Sequence, residues 1–331
     1  MITVENLTVG FPRAKDSPGL FYAVKDVSFF LDESEILGVV GESGSGKSVT
    51  HLAMLGLLSK NAVIQASKIE LNQKDLRNLT RQQWQQIRGN QIAMIFQNPM
   101  SAMNPVLTVE TQLVETLKAH SGLSSQEARM RAVHLLGDVG ISAPEQRLKA
   151  YPFELSGGMC QRVMIAMAIS CHPKVLIADE PTTALDVTIQ KQILDLLKDL
   201  QNRNRMSVIL ISHDLALVSQ YSNRIQVMYA GEIVESGSTH KILQAPRHPY
   251  TQALMNARPG RVSPKTKLES IPGSVSLFNH ESQGCRFRTR CRFAQESCER
   301  RPELQSAGEQ NHLYRCFFPL GRESTAQEVQ K

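Results

Sequence analysis

A glycine-rich loop near the start of the chain has residue types and a spacing suited to binding phosphate. It reads G-x-x-x-x-G-K-S, and its residues are Gly41, Glu42, Ser43, Gly44, Ser45, Gly46, Lys47 and Ser48. Loops of this pattern turn backbone N–H groups onto phosphate oxygens at a helix N-terminus, whose dipole favours anions. We expect Lys47 to reach the β- and γ-phosphates of a nucleotide and the Ser48 hydroxyl to ligate Mg²⁺.

Two adjacent carboxylates, Asp179 and Glu180, follow a second apolar run at residues 175–178. An acid at the carboxyl end of a parallel strand lies where ligands of open α/β sheets bind. Asp179 is therefore a candidate Mg²⁺ ligand, directly or through water. Glu180 is a candidate for orienting the water that attacks a phosphoryl group. Taken alone, two acids after an apolar run more often mark a strand end exposed to solvent. The loop at residues 41–48 makes the interpretation as a phosphoryl-transfer site specific.

A second helix start suited to an anion lies between these motifs. Ser156 is a plausible N-cap, and Gly157 and Gly158 would let backbone N–H groups approach a ligand closely. An ordinary capped core helix would have the same pattern if the segment stood alone.

The elements that must position these residues alternate between strands and helices. Residues 36–40 form a short apolar run, typical of a buried strand, that leads straight into the loop, and residues 49–58 can continue as a helix. After Asp186, apolar residues recur at helical spacing and predict a helix packed on the core. The pattern predicts an α/β fold.

Composition and charge exclude several classes of protein. The 331 residues are 41% hydrophobic and 21% charged, as in a globular protein of about two domains. There is no apolar run long enough to span a membrane and no secretory signal, so we expect a cytoplasmic protein. Residues 1–245 hold 23 basic and 23 acidic side chains, and residues 246–331 hold 14 and 8. We therefore predict a domain boundary near residue 245.

These motifs together resemble the ATP-binding subunits of ABC transporters. Residues 41–48 match the Walker A motif, and residues 175–180 match Walker B. Leu155, Ser156, Gly157, Gly158 and Met159 match the LSGGQ signature, with Met159 in place of Gln. Gln97, the segment Ala184-Leu185-Asp186 and His213 match further family markers. The markers stand in the family's order over residues 1 to about 245.

The resemblance implies a P-loop NTPase with a RecA-like core, a helical signature subdomain at about residues 98–165, and a small Cys-rich C-terminal extension at 246–331. It implies ATP hydrolysis at two composite sites, each pairing the Walker A loop of one subunit with the signature and Asp186 of another. Glu180, Gln97 and His213 would be the catalytic residues. Mg²⁺ would be held by Ser48, Gln97 and Asp179. Adenine would stack on Phe11 or Tyr22, and we favour Phe11.

The C-terminal extension carries four cysteines, in the spacing Cys285-x₅-Cys291-x₆-Cys298-x₁₇-Cys316. Thiolates in a reducing compartment are more often metal ligands than disulfides, and this spacing lacks the paired C-x₂-C of structural zinc sites. Ligation by four cysteines in wider loops is compatible with an iron–sulfur cluster. Zinc and unligated packing cysteines are the alternatives. The interleaved arginines at 286, 288, 290 and 292 would offset thiolate charge or form a solvated basic face.

The extension also resembles that of oligopeptide and dipeptide importer ATPases, through residues 246–251, 271–273 and the cysteines. This narrower resemblance implies a [4Fe-4S] cluster. We expect loss of one cysteine to weaken the extension while nucleotide binding survives.

The resemblance implies an ATPase bound to the cytoplasmic side of the cell membrane that powers peptide import. Its partners would be a homologous second ATPase subunit, two integral membrane permease subunits and, through the complex, an extracytoplasmic solute-binding protein. Antimicrobial peptides and nickel chelates are alternative cargoes, because the ATPase does not touch the cargo. A role on nucleic acid or ribosomes is a remote alternative, since about 108 residues between Lys47 and Ser156 leave no room for a long coiled coil. The extension also lacks the aromatic pattern of single-strand binders, so no nucleic acid partner is expected.

Overall fold

The computed structural model describes residues 1–13, 19–183, 185–257, 271–275, 283–308 and 311–321. Its strands are β1 (Ile2–Pro12), β2 (Leu20–Leu31), β3 (Ile36–Val40), β4 (Val63–Gln65), β5 (Lys68–Leu71), β6 (Lys74–Asp75), β7 (Ile92–Ile95), β8 (Val175–Asp179), β9 (Ser207–Ser212), β10 (Arg224–Tyr229), β11 (Glu232–Ser238), β12 (Gln305–Ser306) and β13 (Leu313–Tyr314).

Helices separate β3 from β4, β6 from β7, and each strand from β7 to β10 from the next, as the sequence predicts. The α-helices are α1 (Lys47–Met54), α2 (Arg81–Ile87), α3 (Pro99–Ala102), α4 (Val109–Ser121), α5 (Ser125–Asp138), α6 (Pro144–Leu148), α7 (Gly157–Ile169), α8 (Val187–Asn204), α9 (Leu215–Ser219), α10 (Thr239–Gln244) and α11 (Pro249–Asn256). Short 3₁₀ helices lie at Pro152–Glu154, Arg288–Arg290 and Glu296–Glu299. Among the described residues, no helix is both long and apolar enough to cross a membrane.

The chain divides into two compact units. The first consists of residues 1–2, 31–36 and 70–211, and the second of residues 3–30, 37–69 and 212–331. The boundary predicted near residue 245 lies within the second unit and stays a prediction.

The first unit contains a parallel arrangement of β7, β8 and β9. In the register of these strands Ile95 lies opposite Ala178, and Asp179 lies opposite Ile211. Every residue of β8 and β9 is buried, which explains why both strands read as near-continuous apolar runs. Gln97 and Glu180 follow β7 and β8 directly, so both lie just beyond the carboxyl ends of neighbouring strands.

Helices α3 to α7 pack against one another within the first unit, where the helical subdomain is predicted. Helix α4 buries Val109, Leu113 and Leu117, which are four residues apart and share one face. Its N-cap is Thr108, whose hydroxyl accepts the N–H of Thr111 at 3.2 Å. It ends at Gly122, which has a left-handed conformation (φ 63°).

The second unit carries the phosphate-binding motif between β3 and α1. Strand β10 pairs in parallel with β3 and antiparallel with β11. Ala230 and Gly231, both with positive φ, form the two-residue turn between β10 and β11. Strand β13 adds to the far side of β11, with Tyr314 opposite Glu235. The C-terminal extension therefore contributes strands to the sheet of this unit.

Ion pairs within the second unit join basic residues after position 245 to acids that precede it. Arg301 pairs with Glu232 at 2.8 Å and with Asp26 at 3.1 Å, and Arg286 pairs with Glu232 at 3.3 Å. The Glu232 side chain is only 2% exposed. Basic residues after position 245 thus meet acids from before it, and both charges are balanced inside one unit.

Candidate functional site

The glycine-rich loop is packed so closely that two of its positions accept only glycine. A Cβ atom at residue 41 would lie 2.2 Å from the backbone oxygen of Met228. Gly46 has φ 94°, and a Cβ there would lie 2.8 Å from the oxygen of Ala23. These contacts fix the loop on the sheet before any ligand arrives.

Lys47 is held by the loop itself. Its side-chain ammonium donates to the backbone oxygens of Gly41 (2.7 Å) and Glu42 (3.0 Å) and to the hydroxyl of Ser45 (3.4 Å). Lys47 is 5% exposed, and Ser48 lies half-buried in the first turn of α1. These contacts hold the ammonium against the backbone of the loop.

Helix α1 also buries a histidine that the motif analysis passed over. His51 Nδ1 lies 2.7 Å from the backbone oxygen of Lys47, so this nitrogen carries the proton and donates. Burial lowers the pKa of His51 to about 4, which keeps the ring neutral at physiological pH.

In the first unit the structure brings Gln97 and Glu180 together. The Gln97 amide donates to Glu180 Oε2 at 3.1 Å, and the Thr183 hydroxyl donates to the same oxygen at 2.9 Å. Glu180 has φ 46°, a conformation uncommon for a non-glycine residue, and its N–H donates to the oxygen of Ile211 at 3.0 Å. Asp179, the last residue of β8, is 5% exposed. Thr183 was not predicted as a site residue, although its hydroxyl lies only three positions after the candidate catalytic acid Glu180.

The signature segment begins α7 as the sequence predicts. The Ser156 hydroxyl accepts the N–H of Met159 at 3.3 Å and caps the helix. Leu155 is buried, whereas Ser156 and Gly157 are exposed. A Cβ on Gly158 would lie 3.2 Å from Cγ2 of Ile189, so α7 starts close against α8.

Four further predicted residues lie on other elements, and one marker position cannot be placed. Asp186 is exposed and caps α8, since its Oδ1 accepts the N–H of Ile189 at 2.9 Å. His213 is exposed directly after β9 and, like the phosphate-binding loop, belongs to the second unit. Phe11 and Tyr22, the two candidates for adenine stacking, are both half-buried on the adjoining strands β1 and β2. Ala184 lies outside the described residues.

The C-terminal extension contacts the phosphate-binding loop at Glu42. Both carboxylate oxygens of Glu42 accept from the Arg290 guanidinium, at 2.7 and 3.1 Å. The Glu42 N–H donates to the Tyr250 hydroxyl at 2.9 Å. Burial opposes the charge of Arg290, but hydrogen bonds to Glu42 and Tyr229 outweigh burial and raise its pKa. No local sequence pattern predicts these contacts, because Arg290 lies 248 residues from Glu42.

The arginines around the cysteines divide into two kinds. Arg286 and Arg290 have side chains 11% and 5% exposed and pair with acids. Arg288 pairs with Glu299 at an exposed position, and Arg292 lies over the ring of Phe293. From sequence, these arginines were predicted either to offset thiolate charge or to form a solvated basic face. The two buried ones, Arg286 and Arg290, instead form ion pairs with carboxylates.

The four cysteines of the extension, Cys285, Cys291, Cys298 and Cys316, line one cavity of about 10 Å³, together with aromatic side chains that include Phe287. All four are free. Burial, and then the neighbouring cysteines, raise the pKa of Cys285 to about 11 and that of Cys316 to about 12. A space of this size holds at most one water.

The predicted [4Fe-4S] site and its zinc alternative therefore find no support in the side-chain arrangement. Within the described residues, no group of three or more His, Cys, Asp or Glu side chains is placed to hold a metal ion. The cysteines converge, but the space between them is too small for a cluster, and burial raises the pKa of Cys285 and Cys316.

Comparison with known proteins covers nearly the whole chain. The family model described as ABC transporter matches residues 24–183, and the model described as oligopeptide/dipeptide transporter, C-terminal region, matches residues 234–298. The dipeptide transport ATP-binding protein DppD of Escherichia coli is 46% identical over 97% of each chain. The oligopeptide transport ATP-binding protein AppD of Bacillus subtilis is 45% identical over 96% of each.

A solved structure agrees with these matches. The dimeric, post-hydrolysis structure of the ATP-binding cassette MJ0796, bound to ADP and Pi, superposes with a TM-score of 0.63 and 27% identity. The match covers 72% of this chain and 99% of that one. The motifs, the fold and these likenesses agree, and the chain belongs to the ABC transporter family, in the group that carries the oligopeptide/dipeptide transporter C-terminal region.

Proposed function

We propose that this chain is the ATP-hydrolysing subunit of an importer for dipeptides or oligopeptides. The observation that carries the proposal is the extent of the likeness, which runs through the C-terminal region as well as the ATPase motifs. The relatives are named for dipeptide and oligopeptide transport. Antimicrobial peptides and nickel chelates are the alternative cargoes.

ATP would bind at residues 41–48, with its phosphates on the backbone N–H groups and Lys47. Ser48, Gln97 and Asp179 would hold Mg²⁺, which neutralises charge on the phosphates. Glu180 would orient the attacking water, and His213 would contact the γ-phosphate. The contacts of Gln97 and Thr183 support the role of Glu180, because they hold one oxygen of its carboxylate in a fixed position. The ring of Phe11, with Tyr22 as the alternative, would stack on adenine.

The active form would be a dimer with a homologous second ATPase subunit. The signature of this chain, Leu155 to Met159, would face the nucleotide held by the partner subunit, and so would Asp186. The exposure of Ser156 and Gly157 at a capped helix start supports this, because their N–H groups are open to an anion on another molecule. Met159, in place of Gln, would offer no side-chain amide there.

The permease subunits would bind the first unit. Large apolar side chains are exposed along and beside its helical part, and such patches mark interaction sites in soluble chains. They are Phe96, Met100, Val106, Met130, Tyr151 and Phe153. The chain would then lie on the cytoplasmic side of the cell membrane, and a solute-binding protein would act through the complex.

The cysteines would hold a [4Fe-4S] cluster, with zinc as the alternative. The four thiols that line one cavity would be the ligands, and they would have to move apart to admit the group. Anaerobically purified protein should contain about four iron and four sulfide per chain. One zinc per chain would favour the zinc alternative. An extension that is folded without any metal would show that the cysteines are unligated and only pack against one another.

Disruption of the gene in its host tests the transport role. The mutant strain should fail to grow when a required amino acid is supplied only as a peptide, and should grow on the free amino acid. The wild-type gene should restore growth, and the Glu180→Gln gene should not. Normal uptake of labelled peptide by the mutant strain, with loss of nickel uptake instead, would reassign the cargo.

A further inference from the structure

The second residue of the phosphate-binding loop is an acid, which is unfavourable in a loop built to bind anions. The backbone oxygen of Glu42 lies 3.0 Å from the Lys47 ammonium. Glu42 is therefore adjacent to the group expected to meet the phosphates. An unpaired carboxylate on a residue next to the bound phosphates would repel ATP.

The extension places a buried cation directly on this acid. The Arg290 side chain is 5% exposed and makes a two-point contact with both carboxylate oxygens of Glu42. Two-point arginine–carboxylate pairs fix orientation as well as neutralising charge. Two further hydrogen bonds fix Arg290 itself. Its Nε donates to the backbone oxygen of Pro272 at 2.7 Å, and a terminal nitrogen donates to the backbone oxygen of Ile271 at 3.4 Å.

A second anchor fixes the backbone of the same residue. The hydroxyl of Tyr250, a fully buried residue of α11, accepts the N–H of Glu42 at 2.9 Å. The rings of Tyr250, Tyr229 and Phe287 lie with centroids 4.7 to 5.3 Å apart. Phe287 lies between Cys285 and Cys291. The aromatic cluster therefore connects this part of the extension to Tyr250, which fixes the backbone of the loop.

We infer that Arg290 is a positioning residue for nucleotide binding: it neutralises and orients Glu42, so that the C-terminal extension prepares the phosphate-binding loop for ATP. The inference rests on the proposed binding of ATP at residues 41–48. It gives the extension a part in the ATPase site that the motifs of the first 245 residues do not contain.

The effect should depend on the charge of the nucleotide. When Arg290 is replaced by Gln, Glu42 keeps its negative charge without a partner. ATP carries one more negative charge than ADP, so its binding should weaken more. Salt should reduce the difference, because it screens charges that are partly exposed to water.

Titration of the full-length protein with ATP and with ADP, at low and high salt, measures this directly. For Arg290→Gln we expect the Kd for ATP to rise about tenfold and that for ADP about threefold at low salt. Arg288→Gln is the matched control, since Arg288 lies in the same segment and pairs with the exposed Glu299. Its affinity for ATP should stay at the wild-type value.

The double variant Arg290→Gln, Glu42→Gln separates charge from folding. With both charges removed, the Kd for ATP should return to within about threefold of wild type. A loss that the double variant does not restore, or an Arg290→Gln protein that is folded and binds ATP normally, would overturn the inference. Arg290→Lys keeps the charge but not the two-point contact, so its Kd for ATP should lie between those of wild type and Arg290→Gln. If wild-type protein binds no ATP, or Lys47→Ala binds it normally, the site assignment fails instead.

Discussion

At the scale of single residues, the chemistry depends on how Glu180 is held. Its backbone has a left-handed conformation that costs free energy, on the order of 1 kcal/mol or more. Neighbouring side chains fix one oxygen of its carboxylate. The acid was predicted from its place after an apolar strand. Its strained backbone and the Thr183 contact were not, because both depend on how the chain turns after β8.

Replacing Glu180 with Gln should stop ATP turnover while ATP still binds. The amide keeps the size of the side chain but cannot orient and polarise the attacking water. We expect a loss on the order of a thousandfold in turnover, about 4 kcal/mol of barrier. Phosphate release and equilibrium ATP binding measure the two properties. Glu145→Gln, at an exposed position on α6, is the control, and turnover near wild type in Glu180→Gln would remove the assigned role.

Replacing Thr183 with Val should lower turnover about tenfold with little change in ATP affinity. Valine has nearly the same shape as threonine but donates no hydrogen bond to Glu180 Oε2. Thr183→Ser keeps the donor and should recover most of the rate. The comparison is kcat against ATP Kd for the two variants. Equal losses in Val and Ser would show that packing, not the hydrogen bond, matters.

At the scale of elements, local signals predicted what is local. The apolar runs of β3 and β8, the phosphate-binding loop and the Ser156 cap all lie where the sequence placed them. The hold of Arg290 and Tyr250 on Glu42 could not be predicted, because it joins residues more than 200 positions apart. The arginines at every second position from 286 to 292 were visible in the sequence, but which of them are buried, and which acids they pair with, were not.

Buried histidines make the stability of two helical elements depend on pH. Burial lowers the pKa of His51 in α1 and of His248, the N-cap of α11, to about 4. In the unfolded chain both should titrate near 6.5, so the unfolded state binds more protons between pH 4 and 6.5. Stability should therefore fall as pH falls through this window, by up to about 3 kcal/mol for each histidine.

Urea unfolding at pH 7 and pH 5 measures this dependence. His51→Asn keeps an N–H donor for the oxygen of Lys47 but does not titrate, so it should flatten the pH dependence. His240→Asn is the control, because His240 is exposed. A wild-type midpoint that is the same at both pH values would contradict the assignment of neutral buried rings.

At the scale of the whole molecule, the described part of the extension belongs to the second unit, together with the loop at residues 41–48. Its strand β13 extends the sheet, its arginines balance acids from the first 245 residues, and Arg290 contacts the phosphate-binding loop. The composition shift near residue 245 is real, yet the charges on its two sides pair with each other. The expectation that nucleotide binding survives loss of one cysteine stays a prediction, and Cys291, the residue after Arg290, is the position that tests it most directly.

The isolated chain should hydrolyse ATP slowly, because it supplies one Walker A loop and one signature to what we propose are composite sites. Addition of the second ATPase subunit and the permease subunits should raise turnover at least tenfold. Phosphate release at a concentration where the isolated chain is monomeric by light scattering is the measurement. A monomer as fast as the complete complex would refute the composite site.

The most direct measurement of the central claim is uptake of a labelled dipeptide or oligopeptide by proteoliposomes that contain the complete complex. ATP is supplied on the face that carries this chain. The account predicts peptide accumulation that requires ATP, persists with Glu145→Gln, and is lost with Glu180→Gln in this chain. Peptide accumulation that continues with Glu180→Gln, or a complex that hydrolyses ATP but moves no peptide, would contradict it.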